Sequence, residues 1–184
     1  LMTSKLFDKY PKIEYKVDDK IFFVKDFTRR AAFFDNVRRD FTLVAEYRIE
    51  EGDIPTSVAQ DFYGNPELFW VILYINNIVS PWSDWPMHYA DLQKWIDQTF
   101  NNADEIQYFT FDGIRYESSV QVQQLKDQLS VTTEQELLDV PGVLGITFRM
   151  EQERVNDLKK NILIVRPERI SKVINEFNES FRSV

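Results

Sequence analysis

The stretch of sequence that decides the fold runs from Tyr47 to Trp85 and reads YRIEEGDIPTSVAQDFYGNPELFWVILYINNIVSPWSDW. It begins with strand-forming residues, and the Gly52-Asp53 pair predicts a turn, because glycine tolerates a positive φ. Two short helices and a loop rich in tryptophan and proline follow. None of its side chains forms a pattern typical of a nucleophile, a general base or a metal ligand. A compact module of this kind favours binding or assembly over catalysis.

Proline, glycine and asparagine delimit the two helices of this module. Pro55 suits the first turn of a helix, where its missing N–H costs nothing, and Gly64 suits the left-handed position after the last turn. The second helix, from Pro66 to Ile75, is capped by Asn65 and ended by the Asn76-Asn77 pair. It is apolar on nearly every side, so we expect it to be covered on more than one face.

The sequence divides into three parts, 1–42, 43–118 and 119–184, with no low-complexity linker between them. The first part is interpreted as an N-terminal arm with a short helix. The second holds the module, followed by a helix and a hairpin. The third is interpreted as a C-terminal helical arm in the order helix, strand, helix.

Local signals place the elements outside the module. The short helix of the first part is expected over 27–34, with Asp35-Asn36 as its end. A helix is expected over 89–100, and Asp112-Gly113 predicts a hairpin, because this pair suits a type I′ turn. The last helix begins at Pro167 and has an apolar face with a period of 3.6 residues.

Composition limits the function classes. Hydrophobic residues make up 43% and aromatic residues 15% of the 184 positions, which is ample for a core. The aromatic side chains either all pack internally or partly lie on a surface that a partner covers. A net charge of −8 argues against nucleic acid and against an anionic membrane as partners.

The search for chemistry is negative. Cysteine is absent, which excludes a disulfide framework and a cysteine-based zinc site. The single histidine, His88, has no nucleophile motif beside it. With five glycines, the chain contains neither a P-loop nor a dinucleotide fingerprint. We therefore predict that the protein is not an enzyme and holds no cofactor or metal.

Several residues are candidates for a partner interface. Arg29 and Arg30 lie either on a solvated, salt-bridged helix face or on a surface that docks onto an acidic partner. Trp82 and Trp85 either cover the second helix or form an exposed platform for a sugar or a protein. On the apolar face of the last helix, the candidates are Ile170 and Phe177.

The module resembles a LysM motif. The positions that carry this resemblance are Tyr47, Gly52, Asp53, Ala59, Tyr63, Gly64, Asn65, Pro66, Trp70, Asn76 and Asn77. The resemblance implies a β-α-α-β fold and, as one function, binding of N-acetylglucosamine polymers such as peptidoglycan. A LysM motif closes with a short second strand soon after its last asparagine, and its sugar groove borders that closing segment. In this place the chain has residues 78–86, with two tryptophans.

A wider resemblance covers most of the chain. The chain resembles the LysM-containing baseplate wedge protein of T-even-type contractile-tailed bacteriophages. The resemblance lies in Arg29-Arg30, the module, the Pro81–Pro86 loop, the Asp112-Gly113 hairpin and the C-terminal run from Phe148 through Ile162 to the last helix. The most specific part of the resemblance is the succession of Tyr63-Gly64-Asn65-Pro66, Phe69-Trp70, Asn76-Asn77 and Trp85-Pro86.

This resemblance implies an α+β fold with a small LysM-like β-α-α-β centre, an extended N-terminal arm and a C-terminal helix-strand-helix arm. It implies a virion structural protein of the tail baseplate, assembled in the host cytoplasm, that joins neighbouring wedges around the central hub. The implied partners are other wedge and hub-proximal proteins, including the sheath initiator, with six-fold copies in the assembled baseplate. Glycan binding by the LysM-like module is the alternative function.

Overall fold

A computed structural model of the protein describes residues 12–18, 20–25 and 30–179. Arg29 therefore lies outside the described residues. The strands in this part are β1 Lys12–Val17, β2 Lys20–Lys25, β3 Val44–Arg48, β4 Ile106–Phe111, β5 Ile114–Tyr116, β6 Leu144–Thr147 and β7 Asn161–Val165. The helices are α1 Arg30–Arg39, α2 Pro55–Tyr63, α3 Phe69–Ile75, α4 Pro81–Asp84, α5 Tyr89–Thr99, α6 Ser119–Leu129, α7 Glu134–Leu138, α8 Phe148–Leu158 and α9 Ile170–Glu179. This mixture of helices and small sheets confirms the predicted α+β class.

The chain forms two compact units. The first unit comprises the described residues up to Pro86 together with those from Lys159 onward, and the second comprises Met87–Leu158. This division differs from the three parts expected from the sequence, because 43–118 and 119–184 each contribute to both units. The cause is the pairing of β7 with β3, which returns the chain to the first unit after the second is complete.

A two-stranded antiparallel sheet and the helices packed on it form the first unit. The register runs from Val44 opposite Val165 to Arg48 opposite Asn161. In α3, the six residues from Trp70 to Ile75 are all buried, which confirms that this helix is covered on more than one face. The order β3, α2, α3 and then β7 places two helices between two paired strands.

The C-terminal segment is part of this core, and its description as an arm is wrong. Ile162, Ile164 and Val165 of β7 are at most 5% exposed, and so are Val173 and Phe177 of α9. The physical reason is that β3 exposes an apolar strand face, and β7 supplies both its backbone partner and its packing partner.

Helix α1 also belongs to the core and extends further than the sequence suggested. Asp35-Asn36 was expected to end the helix, yet it continues to Arg39. Phe34 and Val37, on either side of that pair, are 1% and 3% exposed. Their burial outweighs the weak helix propensity of Asp and Asn.

The second unit has its own hydrophobic cores. One contains Phe109, Leu125, Leu137 and Val143 between the β5-β4-β6 sheet and its helices. The predicted hairpin is confirmed, since Asp112 and Gly113 both have positive φ between β4 and β5. The capping box of Thr133 and Glu136 is also present at the start of α7.

The β1–β2 hairpin forms a sheet of its own. Its strands pair in antiparallel register from Lys12 opposite Lys25 to Val17 opposite Lys20. The described side chains of both strands are exposed. This part of the expected N-terminal arm is therefore a β-hairpin, whereas α1 packs into the core of the first unit.

Candidate docking loop and the framework that holds it

Asp53 closes the turn between β3 and α2. Its carboxylate accepts the Tyr47 hydroxyl at 2.6 Å and the Glu50 amide at 2.9 Å. Gly52, directly before it, has a φ of 101°, which only glycine adopts easily. Burial and the hydrogen bond to Asp53 raise the pKa of Tyr47 above its ordinary value, so its hydroxyl stays a donor. Gly52 and Asp53 therefore stabilise the turn that the sequence predicts at this position.

The residues that end α2 and cap the start of the next helix adopt the predicted conformations. Gly64 is left-handed, with a φ of 64°, and its amide donates to the carbonyl of Gln60 at 2.9 Å. The Asn65 side chain accepts the Glu67 amide at 3.0 Å, and Pro66 opens a 3₁₀ turn that leads into α3. Ala59 is fully buried on α2. These residues therefore shape the turn between the two helices.

Asn76 ties α3 to the outer edge of β7. Its side-chain nitrogen donates to the carbonyls of Ile72 and Leu163 at 2.8 and 2.7 Å. Its side-chain oxygen accepts the Leu163 amide at 2.8 Å. Asn76 thus satisfies both backbone groups of Leu163 as a neighbouring strand would.

Two further contacts complete the framework. The Val165 amide donates to the Tyr63 hydroxyl at 3.1 Å, and burial raises the pKa of that tyrosine. Asn77 is left-handed, with a φ of 55°, and its side-chain oxygen accepts from Arg38 at 2.7 Å. Arg38 also donates to the Ile75 carbonyl at 2.6 Å, which caps the C-terminal end of α3.

Trp70 lies at the centre of an aromatic cluster. Its ring centroid is 5.3 Å from that of Phe177, 5.6 Å from that of Tyr74 and 6.3 Å from that of Phe34. The Trp70 side chain is 5% exposed, and its buried indole nitrogen has no hydrogen-bond partner among the described residues. These contacts join α1, α3 and α9 in one core, which makes Trp70 a packing residue.

The loop after α3 is held from inside by Asp84. Its carboxylate accepts the amides of Val79 and Ser80, both at 3.0 Å. Hydrogen bonds from the Ser80 amide, the Ser83 hydroxyl and the Val79 amide lower the pKa of Asp84. Lys159 donates to the Ser83 carbonyl at 2.7 Å. The loop rich in tryptophan and proline is therefore built around the one-turn helix α4.

The two tryptophans of this loop differ in burial. Trp85 is 6% exposed, and its indole nitrogen donates to the Asp53 carbonyl at 2.9 Å. It therefore ties the loop after α3 to the turn before α2. Trp82 is 93% exposed on α4, and neighbouring Val79 is 80% exposed. We name the segment from Val79 to Asp84 the docking loop.

The other candidate interface residues are placed differently from expectation. Phe177 is 1% exposed, and Trp85 is buried as described above, so both are corrected to core residues. Ile170 is partly buried against the same core. Arg30 begins α1, but its side chain is not among those described. Of the six candidates, Trp82 alone has a described side chain that is largely exposed.

Sequence reasoning missed the hydrogen bonds that Asp84 and Arg38 make. Asp84 had a usable signal, because an acidic residue in the first turn after a proline often accepts backbone amides. Arg38 had none, since its partners lie 37 and 39 positions further along the chain.

A separate polar cluster stabilises the second unit. The carboxylate of Glu151 accepts from Arg154 at 2.7 and 2.9 Å and from the Tyr108 hydroxyl at 2.8 Å. Arg115 lies 3.5 Å from the same carboxylate and stacks over the Tyr108 ring at 3.7 Å. The Arg154 hydrogen bond, together with that of Tyr108, lowers the pKa of Glu151 to about 2. The glutamate is ionised and fully paired, which is typical of a structural ion cluster.

The described residues contain neither a metal-binding group nor a membrane span. Among them, His, Cys, Asp and Glu nowhere form a group of three that could hold a metal ion. In the same ranges, every helix is too short or too polar to cross a bilayer.

The fold and the site are typical of a structural scaffold. The side chains of the LysM-like motif either bind backbone groups of neighbouring segments or pack in the hydrophobic core. The family model for base plate wedge protein 53 matches residues 2–120, more than half of the chain. The chain therefore belongs to the base plate wedge protein 53 family. A comparison with curated proteins finds no match.

Family membership settles the general role. The chain is a structural protein of the phage baseplate wedge, it is a component of the virion tail, and it interacts with other baseplate proteins. The matched residues include β3, α2 and α3, whereas β7, which completes their sheet, lies outside the match.

Proposed function

We propose that this protein joins neighbouring wedges around the central hub of a contractile tail of the T-even type. The family match supports a wedge protein. In the proposed role, six-fold copies contact other wedge and hub-proximal proteins, including the sheath initiator. Assembly takes place in the host cytoplasm.

The observation that carries this proposal is the exposed Trp82 on a loop held rigid from within. Tryptophan is enriched among residues that dominate protein interfaces, and a rigid side chain loses little entropy on binding. Asp84 and Lys159 fix the backbone on either side of Trp82. The docking loop is therefore pre-organised to insert an aromatic ring into a partner pocket.

The test measures binding of the purified protein to the neighbouring wedge proteins from the same phage. Trp82→Ala should weaken the complex by about tenfold or more, because a buried interface tryptophan contributes about 2 kcal/mol or more. Val120→Ala is the matched control, since Val120 is 65% exposed and lies in the second unit. Unchanged affinity of Trp82→Ala for every wedge partner would contradict the proposed role of the docking loop.

Glycan binding by a LysM-like module is the second candidate. The arrangement of β3, α2, α3 and β7 supports it, because two helices lie between two paired antiparallel strands. Trp85 argues against glycan binding, because it lies in the segment that borders the sugar groove in a LysM module. Its indole nitrogen donates to the Asp53 carbonyl in the turn before α2.

Sedimentation with peptidoglycan separates the two candidates. The assembly role predicts no saturable retention of the protein on peptidoglycan. Saturable binding that a soluble chitin oligomer competes away would favour the glycan-binding function instead.

A further inference from the structure

One face of the β1–β2 hairpin is mostly apolar and is exposed in the described protein. The register places Ile13 opposite Val24 and Tyr15 opposite Phe22, with Val17 at the end of the same face. These five side chains are between 39% and 57% exposed. A two-stranded hairpin is marginally stable in water by itself, so this face requires a cover.

The first unit offers an open sheet edge. Asn76 binds both backbone groups of Leu163, which therefore point away from β3. Glu46 is the register partner of Leu163, so its own N–H and C=O point away from β7. Within the described residues, no backbone hydrogen bond reaches Glu46 from that side. An unpaired strand edge is a template for another strand.

Side chains beside this edge match the hairpin. Tyr47 and Phe62 pack edge to face at 5.0 Å and are only partly buried, so they continue the apolar face of an added strand. Glu46 and the exposed residues Glu50 and Glu51 are acidic, whereas Arg48 is basic. The hairpin carries the exposed lysines Lys12, Lys16 and Lys20 against the exposed acids Glu14 and Asp18, so basic side chains are in excess.

We propose that the β1–β2 hairpin of one copy adds to the open edge of β3 in a second copy. The result is a four-stranded sheet across the contact, with the hairpin lysines beside the acidic turn of the partner copy. The two surfaces differ, so the contact is head-to-tail and leaves a free hairpin at one end and a free edge at the other. This contact goes beyond the proposed function, which concerns other wedge proteins.

Sedimentation velocity of the full-length protein tests the contact. The wild type should self-associate at concentrations up to about 100 µM. Phe22→Asp places a charge on the apolar hairpin face and should weaken association by about tenfold or more. Ile114→Asp is the matched control, because Ile114 is 57% exposed on the other hairpin and should leave association unchanged.

Glu46→Pro blocks the edge without breaking the sheet, because the N–H that proline removes is not used in pairing with β7. This variant should be monomeric with an unchanged circular dichroism spectrum. If it fails to fold, Glu46→Lys replaces it, since reversing the charge beside the lysines should also weaken association.

Mixing the two disabled variants gives the decisive result. Phe22→Asp keeps its edge and Glu46→Pro keeps its hairpin, so an equimolar mixture should form one-to-one dimers although each variant alone is monomeric. A wild type that stays monomeric overturns the proposal, and so does self-association that the variants retain or that mixing fails to restore. None of these outcomes affects binding of wedge partners through Trp82, so the two proposals fail separately.

Discussion

At the scale of single residues, Asn76 connects two segments 87 positions apart. Replacing Asn76 with alanine removes three hydrogen bonds and leaves the partly buried backbone groups of Leu163 without a partner. We expect the free energy of unfolding of the first unit to fall by about 1–3 kcal/mol. Urea denaturation measures this change, and amide hydrogen exchange should show lost protection at Leu163.

A matched control is Asn101→Ala, because Asn101 is an exposed turn residue in the second unit. It should change stability by less than about 0.5 kcal/mol. Retained protection of the Leu163 amide in Asn76→Ala would show that water or another group replaces the asparagine, and the assigned role would then be wrong.

Glu151 makes the stability of the second unit depend on pH. Its pKa falls from 4.5 to about 2 in the folded protein, so the folded state favours the ionised carboxylate. The resulting stability is fully present above the unfolded pKa and is lost as pH falls from about 4.5 toward 2. Thermal unfolding of wild type and Glu151→Gln across this range is the test.

Glu151→Gln should have a lower melting temperature at neutral pH and a weaker dependence on pH below about 5. The two curves should converge at low pH, where the wild-type glutamate is protonated. Parallel curves with no convergence would assign the acid sensitivity to other carboxylates.

The residues whose roles the sequence predicted act on their immediate neighbours. Gly64 and Asn65 shape backbone within a few positions, so helix punctuation is enough to place them. The same reasoning placed Asn76 at a helix end but did not reveal its bonds to Leu163. Trp82 and Trp85 show the limit of prediction from residue type. Both are tryptophans in the same loop, and only the folded chain determines that Trp85 is buried and Trp82 is exposed.

At the scale of elements, α9 completes the core of the first unit. Phe177 contacts the rings of Phe34 and Trp70 at 5.2 and 5.3 Å. Phe177→Ala should lower the free energy of unfolding by about 3–5 kcal/mol, because it removes a buried ring and leaves a cavity. Denaturation of the full-length protein, followed by tryptophan fluorescence, measures the loss.

Phe41→Ala is the matched control, since Phe41 is 80% exposed in the same unit. It should change stability by less than about 0.5 kcal/mol. A small effect of Phe177→Ala would mean that α9 packs loosely and that the C-terminal segment behaves as the arm expected from the sequence.

Most individual elements were predictable from the sequence, whereas their assembly was not. The period of α9 and the apolar character of β7 were visible as local patterns. The pairing of β7 with β3 depends on a register between distant segments, which no local pattern encodes. For that reason the sequence pattern favoured an arm for β7 and α9, although both lie in the core of the first unit.

At the scale of the whole molecule, the second unit is an insertion between α4 and β7 of the first. Within the second unit its two ends meet: the Met87 amide donates to the Asn156 side chain at 2.8 Å, which in turn donates to the Met87 carbonyl at 3.0 Å. Within the first unit, Lys159 reaches the Ser83 carbonyl. In each unit, the two segments next to the point where the chain passes to the other unit are therefore hydrogen-bonded to each other.

Closed ends and separate cores predict that the units fold independently. Replacing Met87–Leu158 with a short Gly-Ser linker should leave the first unit folded, since the linker spans only the gap between Pro86 and Lys159. The protection of the Leu163 amide by Asn76 is the diagnostic signal, because it requires β7 to return to its place. Residues 87–158 expressed alone should give a dispersed amide spectrum with an intact capping box at Thr133.

The shortened chain carrying Phe177→Ala serves as the control, because loss of the core should remove the Leu163 protection again. If the linker variant lacks this protection while residues 87–158 fold alone, the inserted unit guides β7 into the first unit. If neither piece folds, the units depend on each other for stability. Independent folding would explain how the closing strand can lie so far along the chain from β3: an autonomous insertion returns the chain to the point where it left.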